Sequence, residues 1–165
     1  MSLQYLIDGY NIINHSQFNR HLNAKIKDRH AFLLEFIRVK KLCGSPNNKI
    51  IVVFDGYPPV LYLRQNKVNL DVVFAKNETA DERIKRMVEQ SGNPKNIVVV
   101  SDDKEIKFFI KSMGAQYISV EEFIRGQDTE GFLKRKDTEA SDLKPELTQR
   151  QIYSINQELR KIWLR

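Results

Sequence analysis

Ile97-Val98-Val99-Val100-Ser101-Asp102-Asp103-Lys104-Glu105-Ile106 places a strand, an acidic edge and a helix start side by side. Its first four residues are β-branched, stiff at χ1 and apolar throughout, as in a strand covered on both faces. Two aspartates follow at the carboxyl end. Then Ile106, Phe109, Ile110 and Met113 repeat at helical spacing, and Gly114 closes the stripe. A buried strand running through carboxylates into a helix is a unit of an α/β sheet.

The same unit recurs outward from this stretch. Residues 5–7, 50–54 and 72–74 are further short apolar runs, and 116–119 is a weaker fifth. Phe32, Leu33, Phe36 and Ile37, with Lys40 at the end, trace one helical stripe; Ile84, Met87 and Val88 trace another. Gly44 and Pro46 close the first, and Gly92 and Pro94 the second. Alternating strands and helices predict a central, mainly parallel sheet flanked by helices over residues 1–126. Residues 126–144 are polar and charge-rich, which reads as a linker. Thr148 then caps a last helix bearing Ile152, Ile155, Leu159 and Ile162, so 127–165 is expected to be a charged linker and a C-terminal amphipathic helix. That helix should dock on the core, on a second copy in a homodimer, or on a partner. Its basic residues would lengthen a binding track for a polyanion or merely solubilise.

The chain has 165 residues, of which 41% are hydrophobic, enough for one domain with a buried core. It carries 27 basic against 21 acidic side chains, a formal net charge of +6. Such a balance favours an anionic partner, nucleic acid first. Cys43 is the sole cysteine, so no intrachain disulfide forms, which fits a reducing, cytoplasmic setting. The opening MSLQYLIDGYN has no basic segment followed by a long apolar run, so no secretory signal and no membrane span are expected. His15, His21 and His30 lack zinc-like spacing with Cys43 and read as exposed loop residues.

Ligands of open α/β sheets bind outside the carboxyl ends of the strands. Residues 5–7 run into Asp8, residues 50–54 into Asp55, and residues 97–100 into Ser101, Asp102 and Asp103. A single strand-terminal aspartate is usually a turn residue. Three at one edge repel one another, and a divalent cation relieves the cost of ionising them. Asp81 adds a fourth from a helix start capped by Thr79. It shares a face with Ile84 and Val88, where an unpaired carboxylate is costly. Oxygen donors without His or Cys select Mg²⁺ or Mn²⁺, ions that activate water against a phosphodiester. No phosphate loop, dinucleotide fingerprint or nucleophile elbow is present. A phospho-receiver domain would want a lysine ending the last strand, and Tyr117-Ile118-Ser119 offers none.

Leu6-Ile7-Asp8-Gly9-Tyr10-Asn11-Ile12-Ile13, followed by Val53-Phe54-Asp55-Gly56, resembles the NYN domains of the PIN-like nuclease superfamily, in their YacP-like branch. Thr79-Ala80-Asp81-Glu82-Arg83-Ile84 is similar to the third acidic motif of that branch. Val99-Val100-Ser101-Asp102-Asp103-Lys104-Glu105-Ile106 is similar to the fourth, with Met113-Gly114-Ala115 behind it. The resemblance implies a Rossmann-like PIN fold and a metal-dependent endoribonuclease acting on messenger, transfer or ribosomal RNA. Asp8, Asp55, Asp81 and Asp103 would ligate or orient Mg²⁺ or Mn²⁺, with Asp102 beside them. Asn11 would hydrogen-bond within the site, and Ser101 matches the small hydroxyl residue of the fourth motif. Counting back from Gly114 favours Asp103 as the main fourth ligand, whereas the immediate Ser-Asp pair favours Asp102. The alternative is a non-catalytic RNA-binding or ribosome-associated adaptor on the same fold. Glu78 is an additional carboxylate without an assigned role. Tyr57, Tyr62 and Phe74 could stack bases but are better read as packing residues.

Overall fold

A computed structural model describes residues 2–23, 25–58 and 69–126. The linker and last helix expected over 127–165, and Tyr62, lie outside the described residues. In chain order the elements are β1 (Gln4–Asp8), α1 (Gly9–Ile13), α2 (Ser16–Asn19), α3 (Arg29–Val39), β2 (Lys49–Asp55), β3 (Leu70–Ala75), α4 (Ala80–Glu89), a 3-10 turn (Pro94–Asn96), β4 (Ile97–Val100), α5 (Lys104–Ser112), β5 (Gln116–Ile118) and α6 (Val120–Arg125). All five strands pair in parallel, in the order β3-β2-β1-β4-β5. Among the described residues no helix is long and apolar enough to cross a membrane.

Strand alternation divides the core into two layers. Tyr5, Ile7, Val52, Phe54, Val98 and Val100 face a layer built from α1, α3 and α6. Leu6, Ile51, Val53 and Val99 face the opposite layer, packed on Ile84 and Val88 of α4 and Ile106 and Ile110 of α5. Leu6, Ile7, Val52, Val53 and Val99 are completely buried, which explains why their runs carry no polar alternation. Each such side chain contributes roughly 1.5–3 kcal/mol of burial free energy.

The order of strands is what assembles an edge. β1 is central, with β2 on one side and β4 on the other, so the chain reverses its direction of sheet growth between β1 and β4. Ile7 pairs with Val52 and with Val100, so Asp8 and Ser101 leave the sheet side by side while β2 runs on to Asp55. A parallel sheet opens a crevice at such a reversal, because neighbouring connections leave toward opposite faces. Gly9 is required here. A Cβ on it would lie 2.1 Å from Cε1 of Phe54, a fully buried ring with no room to retreat.

Helix starts follow local chemistry. The Thr79 hydroxyl accepts from the Glu82 N–H at 3.1 Å, and the Glu82 carboxylate accepts from the Thr79 N–H at 2.9 Å, a reciprocal cap for α4. Ser119 and Glu122 do the same for α6. The three helices absent from the sequence reading are α1, α2 and α6, of five, four and six residues, too short for a 3.6-residue stripe to emerge.

Candidate active site

A cleft of about 530 Å³ lies over the carboxyl edge, and Asp8, Asp55, Asp81 and Asp102 line it. Asp8 is almost fully buried at the end of β1. Its Oδ1 accepts from the Asn11 backbone N–H at 3.1 Å, capping α1, and the Asn11 side-chain amide donates to its Oδ2. Burial raises the Asp8 pKa, opposed by the two bonds from Asn11 and reinforced by the charge of Asp55. The expected role of Asn11 inside the site is therefore visible as a clamp on Asp8.

Asp55 ends β2, and its Oδ1 accepts from the Ala80 N–H at 2.6 Å. That bond ties the start of α4 to the sheet and carries Asp81 to the cleft. The Asp81 carboxylate has no hydrogen-bond partner among the described residues. Its pKa rises from an ordinary 3.8 to about 6, first through burial and then through the negative charges of Asp8, Asp103 and Asp55, with Lys85 opposing. Ile84 and Val88, on the same face of α4, are completely buried, as the spacing requires.

The two aspartates after β4 diverge. Asp102 lies on the cleft wall, where its Oδ1 accepts from the Val120 N–H at 2.9 Å. Asp103 caps α5, its Oδ1 accepting from the N–H groups of Glu105 at 2.7 Å and Ile106 at 3.1 Å. Asp103 is not on the cleft wall, yet its charge is felt at Asp81. Ser101 is fully buried and also off the wall. Its hydroxyl accepts from the Asp103 N–H at 3.1 Å, so it orients the turn that presents both aspartates.

The histidines correct the sequence reading of exposed loop residues. His15 caps α2 and lines the cleft. Its Nδ1 accepts from the Gln17 N–H at 3.2 Å, which leaves the ring proton on Nε2, 3.8 Å from Oδ2 of Asp102. Any loop leaving the carboxyl end of a central strand passes over the crevice, and that signal could have drawn attention to His15. Tyr10 and Asn14 line the cleft from the same connection. His21 packs on Phe36 instead, and burial drives its pKa down to about 4, with nearby Lys40 adding to the effect. His30 stands edge-on to Phe54 and Tyr10. Glu78 pairs with Arg83 and Arg86 of α4. Phe74 stacks on Phe54, while Tyr57 stays 67% exposed.

In kind the donor set fits a hard divalent cation, since the acidic groups at the edge are carboxylates with lone pairs left beyond the bonds they accept. In arrangement the fit is incomplete. Among the described residues no three His, Cys, Asp or Glu side chains stand together so as to hold a metal ion. Backbone N–H groups engage one oxygen each of Asp55, Asp102 and Asp103.

The five-stranded parallel sheet with a carboxylate-lined cleft at its point of reversal is of NYN/PIN-like fold, and the family to which the chain belongs implies a nuclease-type domain. The chain belongs to the YacP-like NYN domain family, whose family model matches residues 5–163. That match runs past residue 126 and into the stretch the acidic motifs do not reach. The chain is 30% identical over 145 residues to the uncharacterized protein YacP of Bacillus subtilis (strain 168), covering 85% of this chain and 84% of that one. It is also similar to a crystal structure of Rae1 (YacP) from Bacillus subtilis, with a TM-score of 0.58, 25% identity, and coverage of 99% and 87% of the two chains. A mutant of the same protein gives a TM-score of 0.56 at 25% identity, covering 99% and 91%.

Proposed function

We propose that the protein is an endoribonuclease that hydrolyses RNA phosphodiesters with Mg²⁺ or Mn²⁺ at Asp8, Asp55, Asp81 and Asp103, with Asp102 beside them. The observation that carries this reading is the cleft at the carboxyl edge of the sheet, lined by Asp8, Asp55, Asp81 and Asp102. Burial and the charges of Asp8, Asp103 and Asp55 raise the Asp81 pKa to about 6, with Lys85 opposing, in keeping with crowded carboxylates. A site that stores like charge in this way gains most from a divalent cation.

When bound, the metal would supply an activated water and charge stabilisation at the phosphoryl oxygens. The chain's own residues prepare the rest. Asn11 fixes both oxygens of Asp8. The Ala80 N–H holds one oxygen of Asp55 and leaves the other free. His15 offers an Nε2–H and Asn14 an amide at the cleft wall, donors for phosphate oxygens beside the carboxylates. RNA as the substrate rests on the net charge of +6 and on the family to which the chain belongs.

One observation favours the second reading, a non-catalytic RNA-binding or adaptor protein. The aspartates serve as helix and loop caps, and no three of them stand in a metal-holding arrangement. A cleavage assay on mixed RNA and single-stranded DNA, with Mn²⁺, with Mg²⁺ and with chelator, separates the two. Metal-dependent loss of RNA alone supports the nuclease; RNA binding without cleavage in either metal supports the adaptor.

A further inference from the structure

α5 starts at Lys104, directly after the Asp102-Asp103 edge of the cleft. Lys104, Lys107, Phe108 and Lys111 follow the spacing i, i+3, i+4, i+7 and so share one face of this helix. All four are exposed, while Ile106 and Ile110 on the opposite face are completely buried. Phe108 is 83% exposed, the most exposed large hydrophobic side chain among the described residues. Leaving a phenylalanine in water forgoes roughly 1.5–3 kcal/mol of burial, so a surface that keeps one suggests a ligand for it. None of the three lysines is in ion-pair contact with a carboxylate among the described residues; Lys107 sits 5.4 Å from the centroid of the Tyr117 ring.

Resting on the nuclease reading above, we propose that this face of α5 binds single-stranded RNA as it passes the cleft. The three ammonium groups meet successive phosphates, and Phe108 stacks under a base. Lys104 to Lys111 spans about 10 Å at 1.5 Å per helical residue, a length over which the reach of three lysine side chains covers two or three neighbouring phosphates. Charge complementarity selects a polyanion. A lone ring among lysines is unlike the apolar, lysine-poor centre of a protein interface. An exposed ring also stacks only on a base free of its own pair, which selects a single strand over a duplex.

The test uses the full chain, a labelled single-stranded RNA of mixed sequence, and chelator so that the RNA stays whole. Binding is measured across a range of salt. Replacing the lysines together (K104Q, K107Q, K111Q) should make the plot of log K against log salt shallower by about 2, because each phosphate contact releases about 0.7 counterion from a single strand. Phe108→Ala should leave the slope unchanged and weaken binding roughly tenfold. Both variants alter exposed side chains only, so their thermal melts should match wild type. A wild-type slope in the triple variant overturns the proposal and leaves the face to a protein partner or to residues 127–165. So does undiminished binding by Phe108→Ala, a preference of the wild-type protein for duplex RNA, or no RNA binding at all. Loss of cleavage in Mn²⁺ with these binding effects intact would defeat the nuclease reading alone.

Discussion

Asp55, at the last position of β2, accepts a hydrogen bond of 2.6 Å from the backbone N–H of Ala80, the first residue of α4. One carboxylate thereby belongs to the cleft and also sets where the helix carrying Asp81 begins. Charge and position can be separated by substitution. Asp55→Asn keeps an acceptor for Ala80 and removes the charge, so the fold should hold while RNA cleavage is lost. Asp55→Ala removes both and should cost a further 1–2 kcal/mol or so in urea denaturation. Equal stability of the two variants would mean that the Ala80 bond contributes nothing.

Asp8 is buried, caps α1, and feels the charge of Asp55. Asparagine caps as well as aspartate and brings no charge. Asp8→Asn should therefore abolish RNA cleavage while the melting temperature stays level or rises slightly. A cleavage assay and a melt on the same preparation check both halves. Activity near wild type would remove Asp8 from the mechanism.

Asp81 should make the stability of the metal-free protein pH-dependent. Its carboxyl titrates near 6 when folded, against an ordinary 3.8, so between these values the folded chain holds a proton that the unfolded chain has released. Stability from this group therefore falls as pH rises from about 4 through 6 and then stays low. In chelator, Asp81→Asn should melt like wild type below pH 4 and above it by pH 7. Adding Mn²⁺ at pH 7 should narrow the difference. A gap that is constant with pH would mean that Asp81 is not held protonated by its neighbours.

His15 presents its Nε2–H toward the cleft because the Gln17 N–H occupies Nδ1. If that proton contacts a phosphate oxygen, His15→Ala should lower kcat/KM by roughly tenfold to a hundredfold, the worth of one hydrogen bond to a charged group. His15→Gln, which restores an N–H donor, should recover most of the loss. Equal defects in both variants, with unchanged melts, would point to some other use of the imidazole.

The sheet was legible because Ile50–Phe54 and Ile97–Val100 are apolar on both faces, a pattern that burial between two helical layers imposes. The acidic edge was legible for the same reason, since Asp8, Asp55 and Asp102 are the first charges after runs that tolerate none. Strand order was not, because nothing local in β1 states that β2 and β4 will flank it. His15 was missed because α2 is a four-residue helix set by capping rather than by periodicity. The choice between Asp102 and Asp103 stayed open in the sequence, and the structure divides the pair by the oxygens each gives to backbone. Asp102 bonds to Val120 and faces His15, while Asp103 caps α5 and acts on Asp81 through its charge.

The most direct test is the anomalous diffraction of Mn²⁺ in crystals of the full chain, at a concentration that supports RNA cleavage. The expected result is one or two peaks at the cleft. Oxygens of Asp8 and of at least one of Asp55, Asp81, Asp102 and Asp103 should lie about 2.1 Å from the metal. No peak at the cleft under those conditions, or a peak held only by residues elsewhere, would contradict a metal-dependent aspartate centre.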